Sequence, residues 1–160
     1  MANLKFEVNL NGMFKVYNGA YAIVTELEDA PGDIFPAPGP FDPTPSNMIA
    51  QTDQPLKVKL QWRVKGGLPL LMAGKWDCAV YLEEMGRGEY NGGPFTTQTA
   101  LVAKYDHTYK VDVDIPAESI PVGVYRVTVA VSLTGPAPTH AALPVAAFSD
   151  IGILKIYDAA

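Results

Sequence analysis

Residues that could act as nucleophiles are scarce in this sequence. Cys78 is the only cysteine, and it alternates in register with Trp76 and Val80, so it is predicted to be a buried, unreactive thiol. None of the serines lies in a G-x-S-x-G nucleophile elbow. They are Ser46, Ser119, Ser132 and Ser149. We therefore expect no catalytic residues and predict that the protein is not an enzyme.

Metal and nucleotide sites are also not indicated. His107 and His140 are the only histidines and lie far apart in the sequence, with no second ligand at zinc-site spacing; His107 is predicted to lie in a turn before a strand. Gly74 and Lys75 are followed by Trp76, which excludes a P-loop, and the glycines of residues 86–93 lack the G-x-G-x-x-G spacing. We expect no metal and no cofactor.

Carboxylates offer a calcium site as an alternative. Asp112 and Asp114 alternate onto one face of a predicted strand, with Glu118 in the turn that follows. A neighbouring row of lysines would neutralise them, which favours a structural role. Glu83 and Glu84 are strand neighbours facing opposite sides, so they do not form a glycosidase pair.

Aromatic side chains suggest a second alternative, a carbohydrate-binding module. Tyr81 faces outward by alternation, Tyr90 lies in a predicted turn, and Tyr105 ends a predicted strand. Sugar-binding sandwiches present exposed rings of this kind, but three scattered tyrosines are also ordinary surface residues.

Composition favours one folded domain. The chain has 160 residues, of which 48% are hydrophobic and 18% charged, with a net charge of −5. This acidic balance disfavours nucleic acid as a partner. No apolar run is long enough to insert in a membrane. Residues 1–10 contain no signal peptide, which predicts cytoplasmic synthesis, with incorporation into a particle or appendage as a plausible destination.

Period-2 alternation identifies the strands of residues 56–160. Leu56–Lys65 alternates apolar and polar side chains over ten residues, which is typical of a half-buried antiparallel strand. Further strands are predicted at 76–83, 97–104, 109–115, 124–133 and 148–157. No helix longer than a turn is expected, with 117–120 the one candidate for such a turn.

The first 55 residues carry turn-forming residues. Two Asn-Gly pairs predict hairpin turns between strands at 4–10, 13–17 and 20–27, although the first two could form one kinked strand. Residues 28–55 contain many prolines and are predicted to be a long irregular loop.

A resemblance supports this interpretation. The segment Gly123–Val127 (GVYRV) resembles the tyrosine corner of immunoglobulin- and fibronectin-type domains, with Val127 where antibody domains carry a cysteine. The resemblance implies that Trp62 lies on strand B and Trp76 on strand C. We predict an all-β fold, a single antiparallel two-sheet β-sandwich spanning residues 1–160, with extra N-terminal strands.

That topology predicts a charge pairing. Strands B and E are neighbours, so the basic side chains of Leu56–Lys65 are expected to face Asp112 and Asp114. The basic side chains are Lys57, Lys59, Arg63 and Lys65.

Two apolar loops mark a candidate partner surface. The loops at 66–74 and 134–147 are expected at the same end of the sandwich, where their side chains either plug the core or form an exposed interface. The candidate partner-binding residues are Leu68, Leu70, Leu71, Met72, Pro136, Pro138, Leu143, Phe35 and Phe41. We predict a structural or interaction protein that self-associates or docks on a larger assembly, with N-terminal strands able to pair with a neighbour's sheet. A carbohydrate-binding module is the alternative.

Overall fold

The fold was analysed in a computed structural model, which describes residues 2–8, 10, 12–17, 21–26, 32–34 and 48–158. The described residues form two β-sheets packed face to face, which confirms the predicted all-β sandwich. Their only helical element is a single 3₁₀ turn at Leu68–Leu70.

Among the described residues, sheet A contains six strands. The strands of both sheets are numbered together in chain order. They are β1 (Ala2–Asn3), β3 (Lys15–Val16), β4 (Tyr21–Glu26), β5 (Gly32–Ile34), β7 (Leu56–Lys65) and β11 (Asp106–Ile115). The main path runs β1-β4-β7-β11, while β3 pairs with β7 and β5 pairs with β4. All of these pairs are antiparallel.

Sheet B contains seven strands in the order β10-β8-β12-β13-β2, with two short additions. They are β2 (Lys5–Val8), β6 (Ile49–Gln51), β8 (Lys75–Glu84), β9 (Gly88–Glu89), β10 (Phe95–Ala100), β12 (Gly123–Thr134) and β13 (Ala142–Tyr157). Strand β9 pairs with β8, and β6 pairs with the end of β13 in parallel. The segment 28–55 was predicted to be irregular but contains β5 and β6.

The N-terminal segment crosses between the sheets. Strand β1 pairs with β4 in sheet A, β2 pairs with β13 in sheet B, and β3 returns to β7 in sheet A. The predicted hairpin between the first two strands is therefore wrong. Leu4 and Phe14 are both buried in this arrangement, and the burial of their apolar side chains stabilises the crossing.

One apolar cluster fills the space between the sheets. Trp62 of β7, Val80 of β8 and Val129 of β12 belong to it and are almost fully buried. Aromatic rings pack closely within it, with Trp62 stacked on Tyr109 at 5.2 Å and set edge-on to Trp76 at 5.2 Å. The apolar side chains that the alternation predicted to face inward therefore meet in one shared core.

Within residues 56–160, three strands differ from the predicted bounds by two or more residues. Strand β13 begins at Ala142 and not at 148, which shortens the preceding loop to residues 135–141. Strand β10 covers 95–100 in place of 97–104. Strand β11 begins at Asp106, so His107 lies within the strand and packs edge-on against the ring of Tyr109 at 4.7 Å. The starts of β11 and β13 lie where polar residues (106–108) and small residues (142–147) weaken the alternating pattern.

Candidate functional site

The single cysteine is buried. Cys78 lies in the core, and burial raises the pKa of its thiol to about 12, with the nearby Asp77 adding to the shift. No three described His, Cys, Asp or Glu side chains are grouped to hold a metal ion. Within the described ranges, no helix is long and apolar enough to span a membrane.

The outer face of sheet A carries paired charges. Asp112 faces Lys59 and Asp114 faces Lys57 in the β7–β11 register, which confirms the predicted charge pairing. Lys57 Nζ lies 3.3 Å from Asp112 Oδ2 and 3.6 Å from Asp114 Oδ1. These two carboxylates therefore share a lysine, which disfavours the calcium alternative.

A second ion pair lies on the same face. The Arg63 guanidinium donates two hydrogen bonds to Asp106, from Nε at 2.8 Å and from an Nη at 2.5 Å. These bonds, aided by the charge of Arg63, hold the pKa of the Asp106 carboxyl below its usual value despite partial desolvation. Arg63 also lies over the ring of Tyr17 at 5.1 Å. The outer face of sheet A is thus a solvated, salt-bridged surface.

The outer face of sheet B carries exposed rings and a cavity. Tyr81 of β8 is 46% exposed and Phe148 of β13 is 67% exposed, and both line a cavity of about 480 Å³. Glu83, Tyr90 and Thr128 are also in its lining. Of the three tyrosines noted in the sequence, the cavity brings together Tyr81 and Tyr90.

Phe148 was not among the predicted site residues. Its strand was predicted to begin at this residue, so no alternation preceded it to indicate its direction. The structure extends β13 back to Ala142, with Val145 and Ala147 buried. Continuing that period of two would have placed Phe148 on the outer face.

The loop between β7 and β8 divides its apolar residues between two roles. Leu68 and Met72 pack against the core, as the plug alternative predicted, whereas Leu70 and Leu71 are 50% and 84% exposed. The loop is tied down by Leu68 N–H, which donates to the Met13 carbonyl at 3.2 Å. The plug alternative therefore holds for Leu68 and Met72, whereas Leu70 and Leu71 are exposed and their role as an interface stays a prediction.

The second apolar loop lies beside the first, as predicted. A Cβ on Gly74 would lie 2.3 Å from the Thr134 carbonyl oxygen, so the two loops meet at one end of the sandwich. Pro136 and Pro138 are exposed on this loop. Leu143 is instead in β13 and packs partly against the core. The remaining candidates, Phe35 and Phe41, lie outside the described residues.

We call this end of the sandwich the Leu71 end; it comprises residues 12–15, 65–75, 101–106 and 134–142. Its exposed large apolar side chains are Met13, Leu70, Leu71 and Tyr105. Its lysines are Lys15, Lys65, Lys75 and Lys104. The acidic residue within these ranges is Asp106, and its carboxylate forms a salt bridge with Arg63. The Leu71 end is therefore apolar at its surface and positively charged.

The opposite end has the same apolar character and the opposite charge. We call it the Met85 end; it comprises residues 49–56, 84–94, 115–124 and 155–158. Its exposed large apolar side chains are Ile49, Met85, Val122, Val124 and Tyr157. Its described acidic side chains are Asp53, Glu84, Glu118 and Asp158, against the basic residues Arg87 and Lys155.

The apolar residues of the Met85 end lie close together. Met85 N–H donates to the Val124 carbonyl at 2.9 Å, and both Val124 and Ile49 flank Lys155 in the register of sheet B. One basic residue of this end is neutralised locally, because Arg87 pairs with Glu84 at 3.6 Å. The Met85 end therefore carries several exposed apolar side chains, two of them flanking Lys155, and its described side chains include more acidic than basic groups.

Comparisons with known proteins give only a distant structural likeness. No protein-family model matches this chain, and no curated protein matches it. The chain is similar to a solved structure described as the C-terminal domain of wzt, with a TM-score of 0.49 and 11% sequence identity. That likeness covers 94% of this chain and 81% of the other.

Proposed function

We propose that this chain is a non-catalytic interaction protein that self-associates head to tail. In this arrangement the Leu71 end of one copy docks on the Met85 end of the next. The observation that carries the proposal is the distribution of exposed large apolar side chains over two ends of opposite charge. Exposed apolar patches of this kind typically mark protein contacts.

Charge complementarity favours a second copy of the chain as the partner. The lysines of the Leu71 end would face the acidic residues of the Met85 end, and complementary charges steer association and fix its orientation. Because each copy carries both ends, the contact is heterologous, and it closes into a ring or continues as a filament. This is how a subunit of a particle or an appendage assembles.

Sedimentation velocity tests the proposal directly. The average mass is expected to rise with protein concentration at low salt and to fall near 1 M salt, where the Debye length is about 3 Å. A monomer at every concentration and every salt level would overturn the proposal.

A pair of charge reversals provides a matched control. Lys104 is exposed at the Leu71 end, and Lys110 is exposed in the middle of β11 on the outer face of sheet A. Lys104→Glu and Lys110→Glu change the net charge equally. We expect Lys104→Glu to weaken association and Lys110→Glu to leave it nearly unchanged; equal effects would show that net charge alone, and not the Leu71 end, controls the mass.

A further inference from the structure

The cavity on sheet B has a flat floor between two aromatic rings. Tyr81 pairs with Thr128 in the β8–β12 register, and Ala130 of β12 lies between Ala79 and Phe148. The rings therefore stand on β8 and β13, and between them β12 presents the small side chains of Thr128 and Ala130, with Arg126 further along the same face. Adjacent strands are about 4.8 Å apart and the two positions are also offset by two residues of about 3.3 Å along the strands, so the Cα atoms of Tyr81 and Phe148 are separated by roughly 12 Å.

The chemistry of the lining is aromatic and polar but nearly uncharged. Glu83 is the charged residue among the described lining side chains, and Thr128 and the Tyr81 hydroxyl add hydrogen-bonding groups, whereas the Tyr90 hydroxyl donates to the Ser119 carbonyl. Arg126 faces Glu83 in the register, but its Nε lies 2.9 Å from Asp150 Oδ2. A ligand in this cavity thus meets two ring faces, hydroxyl groups and a carboxylate.

We infer that this cavity binds a neutral oligosaccharide. The C–H faces of a sugar ring carry slight positive charge and pack on the negative faces of the Tyr81 and Phe148 rings. Sugar hydroxyls donate to the Glu83 carboxylate and exchange hydrogen bonds with Thr128. The volume of about 480 Å³ is within the range of small-ligand sites.

Two other ligand classes fit these groups less well. An anionic sugar would place its charge beside Glu83 without a cation in the described lining to balance it. A purely apolar ligand would bury Glu83 and Thr128 without partners, which costs free energy. A single sugar ring does not reach both aromatic rings, so the occupant extends across β8, β12 and β13.

Titration with homologous sugar series tests this inference. Isothermal titration calorimetry would use malto-, cello-, chito-, xylo- and manno-oligosaccharides from one to six units, with hyaluronan oligosaccharides as the acidic comparison. These lengths bracket the span of roughly 12 Å between the two ring-bearing positions, which follows from the strand spacing and the two-residue offset along the strands. We expect binding in at least one neutral series, with an affinity that rises with length until both rings are contacted.

Ring substitutions locate the site. Phe148→Ala and Tyr81→Ala are each expected to weaken binding by about three- to tenfold, the size of one aromatic contact. Tyr105→Ala is the control, because Tyr105 is 55% exposed at the Leu71 end, away from the cavity. The inference is overturned if no neutral series binds, if a single sugar binds as tightly as the six-unit chain, if hyaluronan binds most tightly, or if neither ring substitution matters. None of these outcomes depends on self-association.

Discussion

The hydroxyl of Tyr125 donates a hydrogen bond to the carbonyl oxygen of Pro121, 2.9 Å away across the turn that leads into β12. The ring is almost fully buried, and Gly123 lies directly against it, where a Cβ would come within 3.2 Å of the ring. Burial, with the nearby Glu84, raises the pKa of Tyr125, so the neutral hydroxyl remains the donor. This contact fixes the turn beside Val122 and so helps shape the Met85 end.

Tyr125→Phe removes this hydrogen bond while keeping the ring. We expect a loss of about 1 kcal/mol in the free energy of unfolding, the usual net contribution of one such bond. Urea denaturation measures it. Tyr157→Phe is the control, because Tyr157 is 38% exposed on the surface, and it should change stability little. Equal stabilities for wild type and Tyr125→Phe would show that the bond contributes nothing.

The Cys78 thiol should resist modification in the folded protein. Its pKa of about 12 leaves almost no thiolate at neutral pH, and the thiolate is the reactive species. A thiol reagent such as Ellman's reagent is expected to label Cys78 only when denaturant unfolds the chain. Rapid labelling of the native protein would place the thiol at the surface and contradict the buried β8 position.

Gly74→Ala should destabilise the junction of the two loops. Gly74 has a φ of 151°, and an added Cβ would lie 2.3 Å from the Thr134 carbonyl oxygen. We expect a loss of about 1–3 kcal/mol, as for other strained backbone positions. Gly67→Ala is the matched control, since a Cβ there meets nothing within 4 Å. Thermal unfolding of both variants measures the difference; similar melting temperatures would contradict the close approach.

The Arg63–Asp106 pair makes stability depend on pH. Because the folded-state pKa of Asp106 lies below the unfolded value near 3.8, the pair stabilises the fold fully above that value. The contribution is lost as the pH falls through the lowered folded pKa. We expect Asp106→Asn to be less stable than wild type at pH 7 and the gap to close in acid. If the difference in stability between wild type and Asp106→Asn is the same at pH 7 and in acid, the Asp106 carboxylate is not the cause of that difference.

The central strands could be predicted from sequence because their pattern is local. Leu56–Lys65 alternates without interruption, and the structure forms β7 over the same residues. That the basic side chains of β7 face Asp112 and Asp114 followed from the same alternation together with the resemblance to immunoglobulin-type domains, whereas the exact register, with Lys57 opposite Asp114, is known only from the structure. With large apolar side chains at every second position, a slip of one residue would turn all of them toward solvent.

The remaining topology depends on contacts between distant residues. The parallel pairing of Ile49–Gln51 with the end of β13 joins segments about a hundred positions apart. A strand of only three residues is too short for its alternation of side chains to indicate which strand it pairs with. The start of β13 was missed because Ala142–Ala147 contains small residues and Pro144, which weaken a strand signal.

The candidate surfaces were only partly visible in the sequence. Leu70 and Leu71 were recognised as an apolar loop, but their exposure depends on how the 3₁₀ turn at Leu68–Leu70 directs each side chain. Met85 and Val122 are single apolar residues in separate turns, and only the fold places them at one end. That Met85 and Val122 lie at the end of the sandwich opposite the lysines of the Leu71 end likewise follows only from the fold.

A mixing experiment tests head-to-tail association most directly. One variant, Leu70→Gln with Leu71→Gln, removes apolar surface from the Leu71 end; the other, Met85→Gln with Val122→Thr, removes it from the Met85 end. Each variant alone should sediment as a monomer under conditions in which the wild type assembles. An equimolar mixture should form a species of twice the monomer mass and nothing larger, because only one intact pair of ends remains. A mixture that stays monomeric, or variants that assemble alone like the wild type, would contradict the account.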